Sequence, residues 1–414
     1  MSEWKKVKLK DCCIKIGSGS TPKGGSMVYV NSGTSLIRSQ NVYNLSFDYN
    51  GLTHITEDAA NKLKGVTVFN EDILLNITGD SVARTCIVPK EVLPARVNQH
   101  VAIVRADRKK MNWRFLNYYL ASPKMQAHML SLAVGKGASR NAMTKQMIEN
   151  FEVPYPPIST QHRIATILSR YDSLIENYQK QIKLLEEAAQ RLYKEWFVDL
   201  RFPGHENTKI VDGVPEGWEK KTIYDVTCKV TTGLNPRKNF VLGKGSNYYV
   251  TIKNMADNTL FLDDRCDRVD NEALEKINKR SDLKIGDILF SGIGTIGRVA
   301  LVDIPTNNWN VSESVFTLRA NDIMTKEFLY LMLLSPDMQN YCQSNAHGAA
   351  QKGIRMADLK AYSFNLPPFG VLQKFTNLVT PTIKKVSSIR NQIRLLAEAR
   401  DRLLPKLMSG EIEI

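Results

Sequence analysis

The sequence predicts an α+β protein in which two β-rich domains are joined by a long antiparallel two-helix coiled coil, the whole being a pseudo-twofold duplication. Three observations carry this. The first is an internal repeat: Trp4, Leu9, Asp11, Gly19, Pro22 and Lys23 return 214 positions on as Trp218, Ile223, Asp225, Gly233, Pro236 and Arg237. Val97-Asn98-Gln99-His100-Val101 with Arg105-Ala106 is answered by Val311-Ser312-Glu313-Ser314-Val315 with Arg319-Ala320, and Ser122-Pro123 with Met125-Gln126 by Ser335-Pro336 with Met338-Gln339. A period this long is a duplicated domain and not a solenoid repeat. The second observation is that each copy ends in a heptad-patterned helix. The third is that, within the first copy, short apolar runs are bounded by Gly, Asn and Asp, as strands are.

Residues 1–157 form the first domain. Strands are expected at Val66–Phe69, Asp72–Leu75 and Val101–Val104, and a helix at Phe115–Leu120 that stops at Ser122-Pro123 and restarts with Met125. A glycine-bearing loop, Val134-Gly135-Lys136-Gly137, follows, and the prolyl run Phe151–Pro157 closes the domain because no helix tolerates it. The first spacer helix takes residues 158–200. Its apolar residues Ile164, Leu168, Tyr171, Ile175, Tyr178, Ile182, Leu185, Ala189, Leu192 and Trp196 alternate in steps of four and three, the seam of a coiled coil. Phe202-Pro203-Gly204-His205 breaks it, and the second domain fills 201–368.

The second spacer helix and a short tail occupy 369–414. Its seam, Phe375, Val379, Thr382, Val386, Ile389, Ile393, Leu396, Arg400, Leu403 and Leu407, repeats the first at a constant offset of 211 (Ile164 to Phe375), with only Thr382 and Arg400 polar. Gly410 is placed to end the helix. Each helix leaves its own domain at its N-terminus, so a second helix packed on the first must run back antiparallel. About 33 residues at ~1.5 Å rise give a rod of roughly 50 Å. Helices packed separately on their own domains would show a wider apolar stripe than this narrow seam.

The chain has 414 residues, enough for two to three domains, each able to bury a core. Lys and Arg number 56 against 42 Asp and Glu, a formal charge of +14, which makes a polyanion, nucleic acid above all, a plausible partner. The six cysteines form no C-x-x-C and do not repeat between copies, so they read as reduced, mostly buried thiols of a cytoplasmic protein. No apolar leader or run of 18 apolar residues is present, which predicts neither secretion nor membrane spanning. The six histidines, His54, His100, His205 and His347 among them, show no metal-ligand spacing, so no metal is expected. No Walker-type phosphate loop occurs.

With Trp4, Leu9 and Asp11 and their echo, the run Gly286-Asp287-Ile288-Leu289 leading to Gly294-Thr295-Ile296-Gly297-Arg298, and the junction Pro156-Pro157 with Gln161-His162-Arg163-Ile164-Ala165, the chain resembles the specificity subunits of type I restriction–modification systems over nearly its whole length. The second junction, Pro367-Pro368 with Gln373-Lys374-Phe375, departs from the pattern by lacking Ile-Ala. The resemblance implies two target-recognition domains, each reading half of a split sequence in double-stranded DNA. It implies a helical spacer on which two methyltransferase subunits dock, with translocating restriction subunits joining them, in a prokaryotic cytoplasm. The chain itself would be non-catalytic and without cofactors, with S-adenosylmethionine, ATP and magnesium on its partners. A ~50 Å spacer would hold the heads at most about 15 base pairs apart.

The candidate DNA contacts lie in loops at matching places. In the first domain they are Ser20, Thr21 and Lys23; Arg38, Gln40 and Asn41; and Lys136, Ser139, Arg140, Asn141 and Lys145. In the second they are Thr232, Asn235, Arg237 and Lys238; Lys253 and Asn254; and Gln351, Lys352 and Arg355. Arg, Lys, Asn and Gln pair with purine edges, and Lys and Arg also neutralise phosphates; each is equally an ordinary solvated loop residue. Trp196-Phe197, Leu174, Leu184 and Leu395 are candidates either for docking partner helices or for packing against a domain.

Two other functions have some support in motifs. Phe290-Ser291-Gly292-Ile293-Gly294 fits a methyltransferase F-x-G-x-G, and Asn365-Leu366-Pro367-Pro368-Phe369 nearly spells the N-P-P-F of adenine methylases. Leu366, however, splits Asn from the prolines, the first copy has Leu75-Asn76-Ile77-Thr78-Gly79 and Val153-Pro154-Tyr155-Pro156-Pro157 at those places, and no acidic residue closes a nucleotide-binding unit. The other alternative is a coiled-coil scaffold for proteins.

Overall fold

The structure, a computed structural model, describes residues 4–134, 141–256, 258–348 and 352–414. The chain divides into two compact units: residues 1–176 with 394–414, and residues 177–393. Each spacer helix therefore contributes one part to each unit.

In the first unit a four-stranded antiparallel sheet runs in the order Thr85–Ile87, Ile73–Asn76, Val101–Ala106, Cys13–Ser18. A second sheet of five strands contains one parallel pair, Thr34–Ile37 beside Ala95–Val97. Strand Lys6–Lys8 pairs with Glu152–Pro154, so the prolyl run that ends the domain is tied to its beginning. The second unit repeats this plan. Its four strands run Thr227–Thr232, Val315–Ala320, Ile288–Ser291, Val299–Leu301, its parallel pair is Asn247–Val250 with Trp309–Val311, and Glu219–Thr222 pairs with Ser363–Leu366. Val66–Phe69 forms only the short strand Thr67–Val68, and the helical patch is Trp113–Ala121, followed by a new helix with Pro123 at its first position, where the missing N–H costs nothing.

Two features bind each repeat together. At Gly19 a Cβ would stand 1.8 Å from the Val97 carbonyl oxygen, and at Gly233 1.5 Å from that of Val311. No side chain fits there, so the turn after the first strand lies directly on the strand end. The other is a buried ion pair: Asp72 and Asp287 are fully buried, and Arg105 and Arg319 each grip their carboxylate with two hydrogen bonds of 2.6–2.9 Å. The same carboxylates accept from the backbone three residues earlier, at Phe69 and Lys284. Hydrogen bonding to Asp287 outweighs burial and holds the Arg319 guanidinium above its ordinary pKa.

The first long helix spans Ile158–Tyr193 and continues as a π-type turn over Lys194–Val198; the second spans Phe369–Ser409 and stops at Gly410. In the first unit Ile164, Ala165 and Leu168 share a core with Leu404, Leu407 and Met408; in the second, Ala189, Tyr193 and Trp196 share one with Leu372, Phe375 and Val379. Start meets end in both, so the helices run antiparallel. Of the remaining seam residues, Val386 and Ile389 are buried, while Tyr171, Ile175, Tyr178, Ile182, Leu185, Leu192, Thr382, Ile393, Leu396, Arg400 and Leu403 are half-buried, as one partner helix leaves them. Arg400 pairs with Asp172 at 2.7 Å, and Tyr118 donates to the other oxygen of that carboxylate. In the second unit Arg390 bonds Glu186 at 2.6 Å. Trp196 and Phe197 face inward, Phe197 lying 4.7 Å from the rings of both Phe328 and Phe375, whereas Leu184 and Leu395 are exposed.

All six cysteines are unpaired, and Cys12, Cys86, Cys266 and Cys342 are buried. Among the described residues no helix is long and apolar enough to cross a membrane, and no cluster of His, Cys, Asp or Glu could hold a metal ion.

Because Asp287 is buried with its charge matched by Arg319, Arg319→Leu should destabilise the second unit by about 3–5 kcal/mol, seen as a lower urea midpoint. Adding Asp287→Leu to that variant should recover most of the loss.

Candidate functional site

In each unit four loops that are separate in sequence meet along one ridge. In the first unit Gly19 and Ser20 donate to the carbonyls of Val101 and Val97, Ile77 donates to His100, and Gly79 donates to Asn141. The Ser18–Lys23 turn, the Asn98–His100 turn, the Ile77–Gly79 loop and the segment from Asn141 are thus neighbours. In the second unit Gly233 donates to Ser312, Gly292 to Ser314, and Gly294 to Lys352, which joins the equivalent four. Strand pairing and the two close-packed glycines set this arrangement; the ridge side chains are free to differ.

On the first ridge Ser20, Thr21, Lys23, Asn141 and Lys145 are exposed. The Thr21 hydroxyl donates to Gln99 Oε1, and Lys145 lies 3.5 Å from Glu149. Arg38 and Gln40 lie on the neighbouring turn and both donate to the Gly51 carbonyl, Arg38 at 2.7 Å. Lys136, Ser139 and Arg140 fall outside the described residues, as does Gln351. On the second ridge Arg237, Lys238, Lys352 and Arg355 are exposed, with Lys253 exposed on the turn equivalent to Arg38–Asn41. Asn235 is half-buried: its Oδ1 caps the backbone of Arg237 and its Nδ2 donates to Glu313 at 2.8 Å.

Three expected contacts lie buried in the fold. Asn41 is fully buried and Asn254 nearly so; each accepts, through Oδ1, from the backbone three residues earlier, at Arg38 and Thr251. They cap a tight turn inside the fold. Thr232 is 6 % exposed and its hydroxyl donates to the Gly233 carbonyl. Gln99, His100 and Glu313, which the sequence reading did not single out as contacts, lie on the turns to which the neighbouring loops bond. Their membership in the repeat was the available signal.

The glycine run Gly292–Gly297 has a packing explanation. A Cβ at Gly292 would lie 2.5 Å from the Phe316 ring, and one at Gly297 2.2 Å from Gln339 Oε1, so the loop is pressed against its own core. Phe290 is buried and stacks on Phe316, and Asn365 sits in a strand paired with Lys220. Neither run is arranged as a nucleotide cradle.

Comparison with known proteins agrees with this duplicated architecture. The model of the type I restriction modification DNA specificity domain matches the chain twice, over residues 1–187 and 215–394. The chain belongs to that family. It is 27 % identical to the type I restriction enzyme MjaIX specificity subunit of Methanocaldococcus jannaschii, across all of this chain and 94 % of that one. It is 26 % identical to the EcoBI specificity subunit of Escherichia coli, across 99 % and 86 %. The crystal structure of a type I restriction–modification S subunit from M. genitalium shares the fold, with a TM-score of 0.57 at 16 % identity over 98 % of this chain and 96 % of that chain. As a member of this DNA specificity family the chain is a DNA-recognition subunit, and the ridges are its candidate reading surfaces.

Since Asn254 is a buried cap and Lys253 beside it is exposed, Asn254→Ala should lower stability by about 1 kcal/mol, whereas Lys253→Ala should change it by less than about 0.5 kcal/mol in thermal melts.

Proposed function

We propose that each unit reads one half of a bipartite, asymmetric DNA site through its ridge, and that the chain performs no chemistry itself. The observation that carries the proposal is the convergence of four loops on equivalent ridges whose frames match and whose exposed side chains do not. Exposed cations on each ridge suit phosphates, which set register, while Asn, Gln and Arg side chains suit base edges. A chain of +14 formal charge adds long-range attraction to DNA.

The paired helices are proposed to seat two methyltransferase subunits, with restriction subunits completing the complex in the cytoplasm of a prokaryote. The exposed Leu174, Leu184 and Leu395 support an apolar contact there. S-adenosylmethionine, ATP and magnesium then belong to the partners. The methyltransferase reading of this chain loses its support with the glycine run packed on Phe316 and Gln339.

The test is to sequence methylated sites in cells carrying this chain with its methyltransferase. One bipartite motif with unlike halves is expected; a single continuous motif would overturn the proposal.

DNA affinity of the assembled complex should fall linearly with log salt. Arg237→Ala and Lys352→Ala should each reduce the slope by about 0.9 if the residue meets one phosphate, measured by anisotropy titrations over a range of salt concentrations.

A further inference from the structure

The two ridges share one backbone position at which the chemistry has been exchanged. Gln99 is the middle residue of the turn between strands Ala95–Val97 and Val101–Ala106; Glu313 is the middle residue of the turn between Trp309–Val311 and Val315–Ala320. Both turns are fixed from two sides. Ser20 donates to Val97 and Ile77 to His100 around the first; Gly233 donates to Ser312 and Gly292 to Ser314 around the second. Even the side-chain neighbour is equivalent, for Thr21 donates to Gln99 Oε1 and Asn235, 214 positions on, donates to Glu313 Oε1. Placement is common to both units. Hydrogen-bonding character is not.

We infer that this position reads a base in each half-site: Gln99 an adenine in the first, Glu313 the exocyclic amino group of a cytosine in the second. The inference rests on the DNA-recognition reading above. Gln99 is exposed; with Oε1 accepting from Thr21 and Nε2 bonded to His100 Nε2 at 3.1 Å it keeps one N–H and one lone pair to offer, the pattern that matches the N6 and N7 edge of adenine. Glu313 is half-buried, and an ionised carboxylate offers acceptors only, about four lone-pair sites in all. Asn235 occupies one at 2.8 Å, and the Tyr249 hydroxyl, 3.1 Å away, shares its single proton between this carboxylate and the Leu234 carbonyl at 2.7 Å, which leaves acceptor capacity for a ligand. Burial and the neighbouring Glu313 charge both raise the Tyr249 hydroxyl above its usual pKa, so it stays protonated.

A carboxylate at the centre of a ridge otherwise bearing exposed cations cannot be a phosphate contact, because like charges repel. Against base edges it is selective. Guanine presents only acceptors in the major groove and would be rejected, whereas the N4 amino group of cytosine donates to a carboxylate. Asn235 and Tyr249 are positioning residues that fix where the carboxylate stands.

The test selects bound duplexes from a random pool with the full chain in its methyltransferase complex. Wild type should yield a bipartite motif; failure to do so would overturn the recognition reading itself and this inference with it. Given that motif, Glu313→Gln should lower the preference for cytosine about tenfold at one position of one half and leave the other half unchanged. Gln99→Glu should do the reciprocal, replacing adenine at one position of the opposite half with a cytosine preference. Motifs identical to wild type in both Glu313→Gln and Gln99→Glu would overturn the inference while leaving the recognition reading intact. Should Glu313→Gln fail to fold, Gln99→Glu decides alone, since Gln99 is an exposed residue whose replacement leaves the core untouched.

Discussion

A close approach without a side chain underlies both candidate reading surfaces. Gly19 and Gly233 lie so near the carbonyls of Val97 and Val311 that any Cβ would collide with them. That contact seats the turn after the first strand against the turn before the last strand of the sheet. The other two loops then attach by backbone hydrogen bonds: Ile77 to His100, and Gly79 to Asn141 with Met143 to Ile77, in one unit; Gly292 to Ser314, and Gly294 to Lys352 with Ile354 to Gly292, in the other. Backbone, not side chains, fixes the ridge. Most ridge side chains are therefore released from structural duty, Asn235, which caps the backbone of Arg237, being an exception, and this is what allows them to differ between copies.

The frame beneath is held more stiffly. A buried carboxylate in the interior costs several kcal/mol unless its charge and lone pairs are answered. Asp72 and Asp287 are answered by Arg105 and Arg319 and by a backbone N–H each, three donors to each buried carboxylate. Along the helices the polar contacts do another task. Apolar seam residues tolerate sliding by a heptad, but the Arg400–Asp172 and Arg390–Glu186 pairs are each satisfied in one register. Leaving either pair unmatched in a half-buried position would penalise a slipped arrangement.

Much of this was legible in the sequence, because duplication writes each structural requirement twice. The repeated glycines, the strand before Arg105 and the antiparallel return of the second helix followed from the residue pattern. Individual ridge residues were less legible. Asn41 and Asn254 have the side chain that reads adenine, yet they cap turns inside the fold, since burial is a property of the assembled loops and not of an Asn within a polar run. Glu313 was passed over for the opposite reason. A lone carboxylate in a turn between apolar strands looks like solvated surface until Asn235 and Tyr249 are seen to converge on it.

The two kinds of error share one physical criterion. Where both copies keep the same side chain and use it to bond their own backbone, as Gln126 does to Ala83 and Leu120 and Gln339 to Gly297 and Leu333, the residue belongs to the frame. Asn41 and Asn254 meet that condition, through partners that the sequence alone does not show. Where both copies keep the backbone position but change the donor and acceptor pattern, the frame has no stake in the residue's identity. Gln99 and Glu313 meet this second condition, each pinned by an equivalent neighbour while offering a different edge. A duplicated recognition protein needs to vary its reading without disturbing its fold, and such positions are where that variation carries no structural cost.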